Sequence, residues 1–191
     1  MTGADVKDPV SPEHGSVEAP RVSSPIGAEE LFRSHASFVA GLLRRLGIAE
    51  RDVADVVQET FLLAHRKGGF VPGRAKPRTW LAAIAVRLAA QHRRRRRPDL
   101  APSIVEEAMT PAADPAEDVE LREALHRVDR ALDALTFAQR VVFVLYEVEG
   151  HGCTAIADTL GLPVGTVYSR LHKARELFRR AHARLGDEEV R

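Results

Sequence analysis

The stretch from Cys153 to Phe178, CTAIADTLGLPVGTVYSRLHKARELF, has the spacing of a helix-turn-helix. Ala157 is small enough for two helices to cross closely. Gly161 tolerates the left-handed backbone conformation that commonly ends a helix, and Pro163 fits the start of a helix but not its interior. The stretch therefore predicts two helices joined by a tight turn.

The second helix of this motif is expected to carry the side chains that contact a partner. Val167 and Leu171, four residues apart, are expected to face inward. The polar and basic side chains left exposed are Thr166, Tyr168, Ser169, Arg170, His172 and Lys173. Because such side chains reach phosphates and base edges, the pattern favours DNA binding. The alternative that the pattern leaves open is a plain helical hairpin in another small α domain.

The formal net charge of +1 conceals an uneven distribution along the 191 residues. Residues 28–97 contain fifteen basic and six acidic residues, whereas residues 98–133 contain three basic and ten acidic residues. This asymmetry predicts a polyanion-binding N-terminal half followed by an acidic connector. The chain is long enough for one ordinary domain or two small ones.

Composition also bears on the cellular compartment. A single cysteine excludes an internal disulfide and a cysteine-rich metal site, and it fits a reducing compartment. No apolar run approaches the roughly 20 residues of a membrane span. The first residues are acidic and interrupted by proline, unlike a secretory signal. We therefore expect a cytoplasmic protein without membrane insertion.

Apolar residues at helical spacing predict three helices in the N-terminal half. The first starts at Ala28 and closes at Gly47, and the second starts near Asp52 and ends by Gly68. An exposed basic loop, Phe70 to Lys76, follows. A third helix then opens at Pro77 and continues into a run of arginines.

These five arginines, Arg93–Arg97, cannot all face one side of a helix. Either water solvates them at a helix end, where cations also complement the helix dipole, or a polyanion neutralises them. Arg87 and the basic loop add positive charge to the same region. Phosphate contact is therefore the favoured interpretation.

The C-terminal half is predicted to be a second helical unit that follows an acidic linker. Residues 98–120 carry four prolines, seven acidic residues and no lysine or arginine, which is typical of an extended linker. Thr136 and Gln139 fit a capping box at the start of a later helix. The apolar residues expected to be buried by that helix are Val141, Val142, Leu145, Tyr146 and Val148.

These patterns predict an all-α protein of two small helical domains joined by a flexible acidic linker. The first 27 residues lack the periodic apolar residues that a core needs. The predicted divisions are a disordered tail (1–27), a helical domain (28–97), the linker (98–117), a helix-turn-helix domain (118–186) and a short tail (187–191).

Together the two halves resemble the extracytoplasmic-function (ECF) group of the sigma-70 family of bacterial RNA polymerase sigma factors. The N-terminal half carries DVVQETFLLAHR (Asp55–Arg66) and TWLAAIAVRLAAQHRRR (Thr79–Arg95), similar to the family's second conserved region. The C-terminal half carries LDALTFAQRVVFVLYEVEG (Leu132–Gly150) and IADTLGLPVGTVYSRLHKARE (Ile156–Glu176), similar to the fourth region. The linker is too short for the helical domain that lies between these regions in larger sigma factors.

The resemblance implies a factor that binds core RNA polymerase and directs promoter-specific transcription initiation by recognising the −10 and −35 elements. The partners it implies are the β′ clamp helices and β flap of the polymerase, promoter DNA and an anti-sigma factor. No catalytic or metal-binding motif occurs in the sequence. We expect neither enzymatic activity nor a cofactor.

The resemblance also implies roles for individual residues. Those implied to dock on the polymerase core are Asp55, Gln58 and Glu59. Those implied to open the −10 element and hold an unpaired base are Arg74, Lys76, Arg87, Gln91, Arg93, Arg94 and Arg95. The second helix of the helix-turn-helix is implied to be the recognition helix, whose residues Thr166, Tyr168, Ser169, Arg170, His172 and Lys173 read the −35 element.

Two other protein classes compete with this interpretation. A helix-turn-helix repressor or activator binds operators without the polymerase core, usually as a symmetric dimer, and needs no second basic domain or acidic tether. An adaptor that binds only proteins leaves the arginine run and Arg170 unexplained. His151 and Cys153 favour a metal or redox site only weakly, because no further ligands lie near them in the sequence.

Overall fold

The computed structural model describes residues 24–73, 76–96 and 119–189. Within these ranges the chain forms seven α-helices and no β-strand, which confirms the all-α prediction. Three predicted features lie outside the described residues: most of the N-terminal tail, the linker, and Arg74 of the basic loop.

The N-terminal half folds as three mutually packed helices, α1 (Ala28–Arg45), α2 (Glu50–Arg66) and α3 (Pro77–Arg96). Gly47 has a positive φ of 79°, the conformation expected of a residue that closes a helix. The predicted apolar faces meet in one core. Its fully buried large side chains are Leu31, Val39, Leu42, Leu43, Leu46, Ile48 and Leu81.

The C-terminal half contains α4 (Val119–Asp133), α5 (Phe137–Phe143), α6 (Cys153–Leu160) and the long α7 (Val164–Glu189). Helix α7 packs against the other three helices, so it is both the second helix of the motif and the support of the whole unit. The buried apolar residues of this unit include Leu132, Val142, Val144, Leu145, Ile156, Val167 and Leu171. Helix α7 continues three residues beyond Gly186, where the sequence predicted the end of the domain.

Helix α5 starts with the predicted capping box, which is confirmed. The backbone N–H of Gln139 donates to the Thr136 hydroxyl at 3.4 Å, and the backbone N–H of Thr136 donates to the Gln139 side-chain oxygen at 3.0 Å. Two amides that a helix start leaves without partners are thereby satisfied.

A π-helical turn, Val144–Val148, follows α5 directly. The Glu149 N–H donates to the Val144 carbonyl at 3.0 Å, one residue further back than in an α-helix. This wider turn shifts the side-chain register, so Val148 is 46% exposed. The prediction that Val148 is a core residue was wrong for this reason, since apolar periodicity assumes an uninterrupted α-helix.

A short segment before α1 pairs with the chain that follows α2. Ile26 and Phe70 form an isolated antiparallel bridge, with N–H to carbonyl distances of 2.8 and 3.0 Å. Ile26 falls in the stretch that composition assigned to a disordered tail, but its backbone is held here by two hydrogen bonds.

Candidate nucleic-acid interfaces

Helices α6 and α7 form the predicted helix-turn-helix. Gly161 adopts the left-handed conformation at φ 63°, and the next N–H, that of Leu162, donates to the Ala157 carbonyl at 3.0 Å. The Pro163 carbonyl then accepts from the Thr166 N–H at 2.9 Å, so α7 starts immediately after the turn. The positive φ explains why glycine is favoured at position 161, and proline fits position 163 because it directly precedes the first turn of α7.

The recognition helix presents most of its predicted contact side chains to solvent. Val167 and Leu171 are buried, as predicted. The aromatic side chain of Tyr168 is 58% exposed on the outer face of the helix. The remaining predicted contact residues divide into exposed Ser169, His172 and Lys173 and half-buried Thr166 and Arg170.

Local ion pairs modify the charge of this helix. The Lys173 ammonium lies 2.9 Å from a Glu176 carboxylate oxygen, and the Arg180 guanidinium lies 2.7 Å from the other. The hydrogen bond from Lys173, aided by the charge of Arg180, lowers the pKa of Glu176. Because Glu176 therefore stays ionised, the positive charge of Lys173 is partly compensated, whereas Arg170 forms no ion pair with the part of the chain that the structure describes.

One side of helix α3 is polar and basic. Arg87, Gln91, Arg94 and Arg95 are exposed and, at spacings of four, seven and eight residues, lie along one side of the helix. We call these four residues the α3 stripe. Lys76, also exposed, directly precedes this helix. The stripe gives the N-terminal half a continuous polar and basic edge.

The other two described arginines of the run, Arg93 and Arg96, are also exposed, but each contacts a protein group. Arg96 lies 2.6 Å from an Asp52 carboxylate oxygen, and His92 lies 3.3 Å from the same oxygen. The Arg93 guanidinium lies over the Phe137 ring, 5.1 Å from its centroid. The repulsion within the run is therefore relieved partly by an acid of α2 and an aromatic ring of α5, an option the sequence did not suggest.

The three predicted core-binding residues share one exposed face of α2. Asp55, Gln58 and Glu59 are all exposed, whereas Val56 and Val57 between them are buried. Their spacing of three and four residues places them on adjacent turns of the helix. The arrangement forms an acidic, polar face on the side of α2 that points away from the core.

Glu149 joins the two halves of the chain. Its carboxylate lies 2.9 Å from the Arg45 guanidinium of α1 and 3.1 Å from the Arg78 guanidinium of α3. The side chain of Glu149 is only 4% exposed. The π-helical turn precedes Glu149 directly, so this contact depends on a local feature that apolar periodicity does not reveal.

Two further contacts lie beside Glu149. The buried Arg140 donates through Nε to the Arg45 carbonyl at the end of α1 and through Nη1 to Asp133, at 2.6 Å. This satisfies a carbonyl that a helix end leaves free. His151 Nδ1 lies 3.2 Å from the Thr79 hydroxyl, and burial lowers the pKa of His151.

The described residues do not bring together a metal site. No group of three or more histidine, cysteine, aspartate or glutamate residues with suitable geometry occurs in ranges 24–73, 76–96 and 119–189. Cys153 is buried at the start of α6, and His151 is hydrogen-bonded to Thr79.

Within residues 24–73, 76–96 and 119–189, no helix has the length and apolar character needed to cross a membrane.

Sequence models of two protein families match the chain, one in each half. Sigma-70 region 2 matches residues 31–98, which include α2, α3 and the α3 stripe. Sigma-70, region 4 matches residues 125–178, which include the helix-turn-helix. The two matches therefore coincide with the two candidate interfaces.

Similar proteins are described as RNA polymerase sigma factors. The ECF RNA polymerase sigma factor SigE of Mycolicibacterium smegmatis is 34% identical over 169 residues, covering 84% of this chain, and this chain covers 63% of SigE. RNA polymerase sigma factor HrpL of Pseudomonas syringae pv. syringae is 32% identical over 163 residues, covering 83% of this chain and 88% of HrpL. ECF RNA polymerase sigma factor SigM of Mycobacterium tuberculosis is 33% identical, covering 77% of this chain and 72% of SigM.

Solved structures agree on the fold. The sigma factor RpoE of Bartonella quintana, in complex with the anti-sigma factor NepR, superposes with a TM-score of 0.65 at 20% identity, covering 80% of this chain and 94% of RpoE. CnrH, in complex with the cytosolic domain of CnrY, superposes with a TM-score of 0.55 at 26% identity, and the match covers 80% of this chain and 85% of CnrH. Two family models in the order of region 2 and region 4, together with these relatives, show that the chain belongs to the ECF group of sigma-70 family RNA polymerase sigma factors.

Proposed function

We propose that the chain binds core RNA polymerase and directs promoter-specific transcription initiation, with its N-terminal half at the −10 element and its C-terminal half at the −35 element. The observation that carries this proposal is the pairing, in one chain and in the family's order, of a basic three-helix unit with a helix-turn-helix. Each contact needs only modest affinity, because the polymerase holds both at one promoter. The chain supplies recognition and catalyses no reaction itself.

The −10 element is assigned to the basic edge of the N-terminal half. The α3 stripe and Lys76 are exposed there, as are Val71–Gly73 of the preceding loop, and such a basic edge suits a separated DNA strand with an unpaired base. Arg74 belongs to the same assignment, although it lies outside the described residues. Arg93 belongs to the same assignment, because it is exposed although its guanidinium also lies over the Phe137 ring.

The −35 element is assigned to α7. Its N-terminal turn, which starts at Val164, presents the positive end of the helix dipole to a phosphate, and the exposed side chains that follow suit the major groove. The C-terminal unit also provides the proposed contact with the β flap. The acidic face of α2, formed by Asp55, Gln58 and Glu59, is the proposed contact with the β′ clamp helices.

Location and regulation follow from the same partners. Core polymerase and promoter DNA are cytoplasmic in bacteria, so we infer a cytoplasmic location. The RpoE and CnrH structures each contain a second protein, NepR and CnrY respectively, and the RpoE partner is described as an anti-sigma factor. These complexes support the proposal that an anti-sigma factor also binds this chain.

Mobility-shift titration of a promoter fragment with the chain, with core polymerase, and with both distinguishes the proposal from its main competitor. We expect a promoter-specific complex only when both proteins are present. A helix-turn-helix repressor or activator would bind the duplex tightly alone, and core polymerase would add nothing. That second pattern would exclude the proposal.

Substitution of Arg170 by alanine is expected to weaken dependence on the −35 element about tenfold, which corresponds to one lost base or phosphate contact of about 1–3 kcal/mol. Lys173→Ala is expected to have a smaller effect, because Lys173 already pairs with Glu176. Transcription from promoters with intact and scrambled −35 elements measures this dependence. Arg179→Ala, an exposed arginine beyond the motif on the same helix, is the control.

The control variant and wild type should bind core polymerase with the same affinity as Arg170→Ala. Equal loss of core affinity and of −35 dependence in Arg170→Ala would contradict the assignment of this residue to DNA.

A further inference from the structure

We propose that the segment Ile26–Gly27 is a brace that positions Phe70 and Val71, with which the loop begins, and that Gly69 is a positioning residue for promoter opening. The inference rests on the proposed function, which assigns that loop to an unpaired base of the −10 element. The juxtaposition that carries it is a backbone pairing between a segment preceding α1 and the residue at which the loop starts.

Backbone hydrogen bonds hold both residues of the brace. Ile26 donates its N–H to the Phe70 carbonyl at 2.8 Å and accepts from the Phe70 N–H at 3.0 Å. The adjacent Gly27 carbonyl accepts from the Leu31 N–H at 3.0 Å, which ties the segment to the first turn of α1. Because Leu31 is buried in the core, the position of Phe70 is set by the helical unit and not by the loop alone.

The loop changes from anchored to exposed within one residue. Phe70 is buried, and its ring lies 5.7 Å from the Trp80 ring of α3. Val71, the next residue, is 59% exposed. An exposed apolar side chain at the start of the loop can pack against the apolar face of an unpaired base and remove both surfaces from water. The brace therefore fixes the residue from which this contact surface extends.

Gly69 permits the close approach of the brace. Its φ is +85°, and a Cβ at this position would lie 2.4 Å from the Ile26 carbonyl oxygen, a backbone atom that cannot move without moving the brace. Gly68 has nearly the same φ, +82°, but a Cβ there would meet no atom within 4 Å. Alanine at either position is strained by the left-handed backbone, but only alanine at position 69 also clashes with the brace. Comparing the two substitutions therefore isolates the effect of the clash.

The test compares Gly69→Ala with Gly68→Ala in the complete holoenzyme, on a promoter obtained by run-off transcription of source-genome fragments. Permanganate reactivity of unpaired thymines measures opening of the −10 element, and core affinity and −35 dependence are measured in parallel. Since functional groups must be held to about 0.5 Å, we expect opening to fall on the order of tenfold in Gly69→Ala relative to Gly68→Ala, at unchanged core affinity. Ile26→Pro, which removes the donor to Phe70, is expected to have the same effect as Gly69→Ala.

The possible outcomes separate the brace from the function on which it rests. If wild type opens the promoter and all three variants open it equally, the brace is excluded and the proposed function stands. If Gly69→Ala and Ile26→Pro lose core affinity as much as opening, the bridge is only a structural support and the inference is likewise overturned. If wild type forms no open complex on any fragment, the proposed function itself fails, and the inference fails with it.

Discussion

Reversing the charge of the acidic face of α2, with Asp55→Lys and Glu59→Lys in one variant, is expected to lower the affinity for core polymerase at least about a hundredfold. Both side chains are exposed on a face that leaves the core of the N-terminal unit intact. Placing two positive charges where the partner accommodates negative ones costs several kcal/mol, about 1.4 kcal/mol for each tenfold loss of affinity. Titration of labelled core polymerase measures this directly.

The matched control is Glu29→Lys with Glu30→Lys, the same change of charge at two exposed acids in the first turn of α1. This control should bind core polymerase within a few-fold of wild type, because surface substitutions away from an interface have small effects. Equal losses in both double variants would show that total charge, and not the α2 face, governs the association. That result would remove the assignment of Asp55 and Glu59 to the clamp helices.

Replacing Glu149 by glutamine is expected to separate the two halves of the free chain. The Glu149 carboxylate is almost completely buried between Arg45 and Arg78, and glutamine keeps its shape but removes its charge. Losing one partner of a buried, hydrogen-bonded charge pair costs about 2–5 kcal/mol. Because Arg45 and Arg78 are partly exposed to water, we expect the loss of the Glu149 charge to cost about 2 kcal/mol. The population of the packed arrangement should therefore fall on the order of thirtyfold relative to the open one.

Distance distributions between fluorophores on α2 and α7, measured by energy transfer, report this separation. The control is Glu147→Gln, because Glu147 pairs with Arg175 within the C-terminal unit at 2.6 Å and is exposed. Glu147→Gln should keep the short distance of wild type, whereas Glu149→Gln should show a longer and broader distribution. Identical distributions in both variants would contradict a role for Glu149 in holding the halves together.

Local chemistry explains which parts of the fold were predictable. The Thr136 cap, the left-handed Gly161 and the burial of Val167 each depend on residues within a few positions of one another. Such short-range requirements are written directly in the sequence. The helices and the helix-turn-helix were predicted correctly for this reason.

The features that were missed depend on non-local contacts or on a local irregularity. Val148 was assigned to the core because its apolar spacing fits an α-helix, but the π-helical turn moves it to the surface. Ile26 was assigned to a tail, since nothing near it predicts pairing with Phe70. Likewise, no pattern relates Glu149 to Arg45, 104 positions earlier.

The predicted sites divide in the same way. The exposed acidic face of α2 follows from helical spacing around buried Val56 and Val57. The protein contacts of Arg93 and Arg96 do not follow from the sequence, because they depend on where the fold places Asp52 and Phe137. The signal that was available was the helical spacing of Arg87, Gln91 and Arg94, which already separates them from Arg93.

Run-off transcription with purified core polymerase tests the central claim most directly. Core polymerase is supplied with fragments of the source genome, with and without the chain. We predict discrete transcripts that require the chain and start at defined positions, none of which core polymerase makes alone. Failure to confer initiation on any fragment, together with tight duplex binding by the chain alone, would contradict the claim.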